Sequence, residues 1–528
     1  MYGSNASRNA IRSLTLANGT ILTRSEDIKA EAARHFRDFL QSEDPDFVET
    51  PPEFLSDLLD YRCSREQCLQ LVAPVTEEEI KKALFSLPSG KASGPDGFSK
   101  EFYVAAWNIV GSDFVVAVQS FFQYGFMPKS VNATLLTLIP KNPDLSSPTM
   151  KDYRPVACCN MLYKVVSKIL ANCLKIILPD FIEPNQSAFV KGRLLLENVH
   201  LAAELVKDYH KDTLSPRSAI KFDISKSFDT VQWPFIVGIF RALGFPDLFI
   251  NWIYVCISTA YFSVVVNGEL EGFFASHRGV RQGCSLSPYI FVMVQNVLSR
   301  LLNKAAQTGR IGRHPRCDQV PVTHLSFADD ILVFTDGSPG SLRETLRVFE
   351  EFAHISGLHI NASKSALFAG GRNKQALIQE ALVHGLQVEN LPIRYLGLPL
   401  TTRSMTAHDY APLSSDYRRD VLMRLSDYAR LFYGREIQIL QRELKFLGKI
   451  FVDQKLKGSR LEAFARCVAG FCVFTRLGQI WRKGIILELN RRLRAKETKS
   501  VSNQGMSVDR HPLVSLDTTR GPSKVSTV

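Results

Sequence analysis

At about 150 residues per domain, a chain of 528 residues has length for three or four folding units. Hydrophobic residues make up 45% of it and charged residues 22%, enough for a core and against wholesale disorder, while 31 Gly and 25 Pro exclude a collagen-like repeat. A formal charge of +12 points to a polyanionic partner, nucleic acid ahead of anionic membrane, and no run of 18 apolar residues offers a membrane span. Residues 1–6 lack a basic stretch leading into an apolar block, so no secretory signal is expected.

Residues 11–23 alternate around Asn18-Gly19, a strong short-range hairpin signal. Ile28, Ala32, Phe36 and Leu40 follow at four-residue spacing, one face of a helix. Residues 41–62 are acidic and proline-containing and read as a linker. Thr76 with Glu79 forms a capping box for a helix carrying Ile80, Ala83, Leu84 and Leu87, and Gly94-Pro95-Asp96-Gly97 makes a tight loop after it. Asn160 is placed to cap a second amphipathic helix with Leu162, Val165, Val166, Ile169, Cys173 and Ile177 inward. Strands are expected at 218–224, 262–267, 324–327 and 331–334, with helices at 230–243 and 288–304 between them. Strands and helices mixed at irregular spacing imply an α+β fold rather than a doubly wound sheet.

The segment 435–496 holds 15 Lys and Arg against 5 Asp and Glu, which suits a phosphate backbone and equally a solvated helical face. Beyond 496 the chain is rich in Ser, Thr, Val, Gly and Pro without period, and disorder is expected there. Ten cysteines include no Cys-x-x-Cys pair, so a structural zinc site is not expected; most sit in apolar runs and read as buried reduced thiols of an intracellular protein.

The chemistry concentrates in two places. In 323–334, Asp329 and Asp330 interrupt an otherwise apolar hairpin, where burying two like charges costs several kcal/mol unless a cation relieves them. About a hundred residues upstream, Asp223 ends the apolar strand Ala219-Ile220-Lys221-Phe222 and can face that turn from a neighbouring strand. Carboxylate oxygens are hard ligands suited to Mg²⁺, and three of them converging from two elements could hold two ions, the arrangement that clamps attacking and leaving oxygens in phosphoryl transfer. An Asp-Asp in a turn can also be just a turn.

Taken in order, the stretch from Phe222-Asp223 to Ser227-Phe228-Asp229, Arg278-Gly279-Val280-Arg281-Gln282-Gly283-Cys284-Ser285-Leu286-Ser287-Pro288 and Phe327-Ala328-Asp329-Asp330 resemble the palm motifs of a reverse transcriptase, most like those of plant LINE-type (non-LTR) retrotransposons. Further blocks stand in register: Gly94-Pro95-Asp96-Gly97-Phe98, Leu138-Ile139-Pro140-Lys141, Tyr153-Arg154-Pro155-Val156, Gln186 to Arg193, Gly357 to Ser365, and Tyr395-Leu396-Gly397-Leu398-Pro399. The resemblance implies a right-hand polymerase, fingers, palm and thumb, with an antiparallel palm sheet flanked by helices. It divides the chain into a connector at 1–74 with no endonuclease ahead of it, fingers and palm at 75–402, a divergent basic thumb-like region at 403–496 and a disordered tail at 497–528.

By the same resemblance, Asp223, Asp329 and Asp330 are the metal-binding catalytic triad for two Mg²⁺, with Mn²⁺ the alternative ion. Asp229 is expected to pair within the palm instead. Phe228 matches the aromatic beneath the incoming sugar, where a ring would collide with a 2′-OH; otherwise it is a core aromatic. Lys141 and Arg154 match finger cations that approach the triphosphate. Gln282 and Gly283 match the motif lying against nucleotide and template, Lys364 a lysine that protonates the pyrophosphate leaving group, and Tyr395, Leu396, Gly397 and Leu398 the hairpin that grips the primer. Ser227 stands where alanine is usual. The implied function is RNA-directed DNA polymerisation, with an RNA template, a DNA primer and dNTPs as partners, no membrane, no obligate protein partner, and the nucleus as its location. The alternative is a truncated remnant that binds nucleic acid without polymerising; an intron maturase with the same palm is disfavoured because no maturase or nuclease module follows.

Overall fold

The computed structural model describes residues 10–142, 148–317 and 322–403. Of the chain's two compact units, Met1–Phe432 and Tyr433–Val528, all of these belong to the first. The basic segment and the tail beyond it lie outside the described residues.

In chain order, a short hairpin β1 (Leu14–Thr15) and β2 (Ile21–Leu22) leads into helix α1 (Ser25–Gln41), then α2 (Pro52–Leu58), α3 (Arg65–Leu71), α4 (Glu77–Phe85), α5 (Lys100–Ala105) and α6 (Trp107–Tyr124). Strands β3 (Ala133–Pro140) and β4 (Tyr153–Cys159) follow, then α7 (Met161–Phe181) and α8 (Leu195–Val206). After β5 (Arg217–Phe222) come α9 (Ser227–Thr230), α10 (Trp233–Ala242) and α11 (Asp247–Ser258), the hairpin β6 (Tyr261–Val266) and β7 (Glu269–Ala275), and the long α12 (Ser287–Gln307). The hairpin β8 (His324–Phe327) and β9 (Asp330–Thr335), α13 (Pro339–Ser356), β10 (Ala366–Gly370), α14 (Gln375–Val383), β11 (Gln387–Val388), β12 (Ile393–Tyr395) and β13 (Leu398–Leu400) complete it.

Two larger sheets organise these elements. One is ordered β11-β10-β5-β9-β8 with β5 central; the other is β4-β3-β6-β7. Antiparallel pairs dominate, with parallel contacts only at β3–β6 and β10–β11 among the described strands, so the expected α+β class is met. Alternation along β5 and β9 sends Ile220, Phe222, Ile331 and Val333 into the main core, while Ala219, Leu332 and Phe334 enter a second cluster closed by Tyr395 and Leu398. No helix among the described residues is long and apolar enough to cross a membrane.

Two expectations need correction. Residues 41–62 are no plain linker: Pro51 is the N-cap and Pro52 the first residue of α2, whose Leu55 and Leu58 are buried. The described part of the N-terminal region packs into the main core, where Ile11, Leu14, Ile28, Phe36, Leu55 and Leu71 all take part. The apolar face of α1 is what carries it there, against β6 and β7. Asn160 occupies the N-cap position of α7 without capping it. Its Nδ2 donates to the carbonyls of Ser130 (2.8 Å) and Val131, and its Oδ1 accepts from the Asp96 N–H, so it ties down the 94–97 loop instead. Of the eight described cysteines, Cys159, Cys256, Cys284 and Cys317 are buried and the other four only half-buried.

Candidate active site

The register of the central sheet brings the carboxylates together. Phe222, the last residue of β5, pairs with Ile331 across β5–β9, so Asp223 follows directly at the end of the strand beside the start of β9 at Asp330. Phe327 pairs with Asp330 across β8–β9, leaving Ala328 and Asp329 as a two-residue turn with Ala328 at φ 54°. Asp223 is held by its backbone: its N–H donates to Ser365 Oγ (3.1 Å) and its carbonyl accepts from Asn361 N–H (2.7 Å). The segment carrying Lys364 is thereby docked against the end of β5.

The charges sense one another. Asp329 stands at the tip, where partial burial and then the charges of Asp330 and Asp223 raise its carboxyl above the ordinary carboxylate range, with Arg154 acting the other way. Burial, then the positive charges of Lys364 and Arg154, depress the Lys141 ammonium, partly offset by Asp152 and Asp223. Lys141 and Arg154 sit at one end of the β3–β4 pair, where Ile139 opposes Arg154 and the Lys141 N–H donates to the Asp152 carbonyl (2.8 Å). Lys141, Arg154 and Lys364 are all exposed, and the Lys141 ammonium donates to the Lys151 carbonyl (2.7 Å).

Among the described residues, no three His, Cys, Asp or Glu side chains gather into a metal-holding group. Asp330 pairs with a cation in this structure, Lys221, whose Nζ lies 3.5 Å from Asp330 Oδ1. The donor chemistry still fits a divalent ion, because Mg²⁺ takes one or two protein carboxylates and completes its shell with substrate phosphates and water. Asp223 and Asp329 supply such a pair.

The remaining predicted residues fall around this centre. Phe228 is half-buried and stacks on buried Phe291 (centroids 4.6 Å apart, planes 23°), so its ring belongs partly to the core. Gln282 is anchored twice. Its carbonyl accepts from the Ala157 N–H (3.0 Å), joining the motif to β4, and its Nε2 donates to Asp229 Oδ2 (2.9 Å). Gly279 and Gly283 make that approach feasible: both have positive φ, and a Cβ at Gly279 would lie 2.4 Å from the Asp229 carbonyl oxygen. Burial pushes the Asp229 carboxyl up to about 7, against the pull of Lys226 and Gln282. Tyr395 pairs with Leu398 around a Leu396-Gly397 turn with φ 50° and 86°. Tyr395 and Leu398 are buried, which leaves only the turn residues open to a ligand.

Two supports escaped the sequence reading. The C-terminal end of α1 touches both palm motifs, with Lys226 Nζ 3.6 Å from the Phe39 ring centroid and an Arg278 Nη2 hydrogen bond to the Phe39 carbonyl (3.1 Å). Buried Gln186 reaches the acidic turn, its Oε1 accepting from the Ala328 N–H at 3.1 Å. The Phe-rich pattern of α1 and the block around Gln186 were visible, but nothing in either marks a long-range partner.

Residues 139–400 match the family model "Reverse transcriptase (RNA-dependent DNA polymerase)". The chain is similar to the uncharacterized 149 kDa protein of transposon TX1 from Xenopus laevis (30% identical, covering 78% of this chain and 30% of that protein). It is also similar to the retrovirus-related Pol polyprotein of the type-2 retrotransposable element R2DM from Drosophila melanogaster (26%; 73% and 36%) and to that of the type-1 element R2 from Popillia japonica (28%; 63% and 44%). It thus spans between about a third and under a half of these relatives. Among solved structures, telomerase from Candida tropicalis bound to a telomeric RNA fragment aligns with a TM-score of 0.38 at 12% identity, covering 70% of this chain and 61% of that one. By its 139–400 region, the chain belongs to the reverse transcriptase family, of the kind carried by non-LTR retrotransposons.

Proposed function

We propose that this chain extends a DNA primer on an RNA template by adding dNTPs. The observation that supports the reading is that Asp223 and Asp329 lie near enough to one another and to the exposed cations Lys141, Arg154 and Lys364 for the charges in this group to shift the ionisation of Asp329 and Lys141. Like charges crowded together are costly, and a triphosphate relieves the crowding on the cationic side. Arg154 offers its planar fork to phosphate oxygens and Lys141 a point charge. Lys364 would donate a proton to the departing pyrophosphate. Asp223 and Asp329 are the residues that would hold divalent metal, Mg²⁺ or Mn²⁺. The bound metal supplies charge stabilisation of the attacking and leaving oxygens. Phe228 walls the sugar position, Gln282 and Gly283 lie against the base pair, and the Leu396-Gly397 turn contacts the primer. The nucleus is the compartment this reading assigns.

The test is primer extension by the purified chain on a primed RNA with dNTPs and Mg²⁺. Wild type is expected to make RNA-templated DNA, and Asp329→Asn to lose at least a thousandfold in rate while melting at the wild-type temperature. Equal extension by the Asn variant would overturn the assignment. A second reading, a remnant that binds nucleic acid without polymerising, is favoured by the Lys221–Asp330 pairing, in which a cation competes with metal for that carboxylate. Binding without extension by wild type would support it.

A further inference from the structure

The turn between β8 and β9 places a non-glycine residue, Ala328, in the left-handed region, immediately before Asp329. L-residues occupy that region at a cost and hold it only where the surroundings impose it. What imposes it here comes from outside the hairpin. The Gln186 side chain is fully buried, and its Oε1 accepts two backbone N–H groups, from Ala188 (2.9 Å) and from Ala328 (3.1 Å). The same segment lines the free edge of β8: Ser326 N–H donates to the Asn185 carbonyl (2.9 Å), Ser187 N–H to the Ser326 carbonyl (3.1 Å), and Asn198 Nδ2 to that same carbonyl (2.8 Å). Gln186 Nε2, by contrast, is buried with no partner among the described residues, so one half of the amide bears a cost while the other half grips the turn. A glutamine retained for core packing alone would be better replaced by an apolar side chain of similar volume.

We propose that Gln186 is a positioning residue for the polymerase centre: by fixing the Ala328 N–H it sets the conformation of the turn and so the direction in which Asp329 presents its carboxylate. This rests on the function proposed above, and it makes the 185–187 segment part of the catalytic apparatus rather than an edge cover.

Two measurements on the full chain test it: Mn²⁺ affinity by electron paramagnetic resonance, and steady-state primer extension. Gln186→Met keeps the volume and loses the acceptor, whereas Gln186→Glu keeps both the shape and the acceptor oxygen. The methionine variant is expected to bind Mn²⁺ several-fold more weakly and to lose about tenfold or more in kcat, with KM for dNTP within about twofold of wild type. The glutamate variant should stay near wild type in both. Should the methionine variant not fold, Gln186→Asn, one methylene too short to reach Ala328, takes its place. A folded Met or Asn variant that binds Mn²⁺ and extends primers like wild type overturns the proposal. Loss of kcat and Mn²⁺ affinity in the Glu variant equal to that in the Met variant also overturns it. Failure of wild type to extend any primer would count against the polymerase reading, while the Mn²⁺ comparison still decides the role of Gln186.

Discussion

Asp229 illustrates how a single buried acid ties stability to the site. Burial raises its carboxyl to about 7, above the ordinary carboxylate value that it takes in the unfolded chain. Between those two values the unfolded chain is ionised while the folded one keeps its proton, so folding stability falls as pH rises through that window and is constant above it. Asp229→Asn removes the cost and still offers an oxygen to Gln282. The variant should therefore melt higher than wild type at pH 8, by about 1–2 kcal/mol of stability, and equally at pH 4, as thermal unfolding at the two pH values would show. Phe228 poses a question of selectivity. Its ring stacks on Phe291, so truncation costs packing as well as the wall beneath the sugar. Phe228→Ala should lose stability by about 2 kcal/mol and incorporate ribonucleotides at least tenfold more readily relative to dNTPs. Unchanged sugar selectivity would remove Phe228 from that role.

At the scale of elements, local signals read well and long-range docking did not. Asn18-Gly19 marks a turn that the structure contains, with Gly19 at positive φ, because the turn chemistry is carried by the turn residues themselves. Helix α12 and the β8–β9 hairpin fall within a few residues of their expected bounds for the same reason: their apolar periodicity is local. Asn160 failed as a cap because its amide found carbonyls thirty residues upstream, a partner no periodicity announces. The α1 helix is the larger case. Its apolar stripe was legible, but not that it lies on β6 and β7 or that Phe39 sits beside Lys226 and Arg278. Removing residues 1–41 should bare that sheet face and lower the melting temperature by about 10 °C or more, or leave an aggregating protein. A truncated chain that melts and extends primers like the full one would return α1 to the status of a connector.

For the molecule as a whole, the ordered motifs made the family legible, and the sheet register explains why residues a hundred positions apart belong to one site. Strand pairing at Phe222–Ile331 and Phe327–Asp330 is a long-range property, so the sequence could place three carboxylates near one another but not foresee that Asp330 would turn to Lys221. The account stands on Asp223 and Asp329 sharing a divalent ion across two strands. Mn²⁺ titration of the full chain with primed RNA and dNTP, followed by electron paramagnetic resonance, measures that directly. Asp223→Asn and Asp329→Asn should each weaken Mn²⁺ binding at least tenfold without changing the melting temperature by more than a few degrees. Wild-type Mn²⁺ affinity in either folded variant would contradict a shared site.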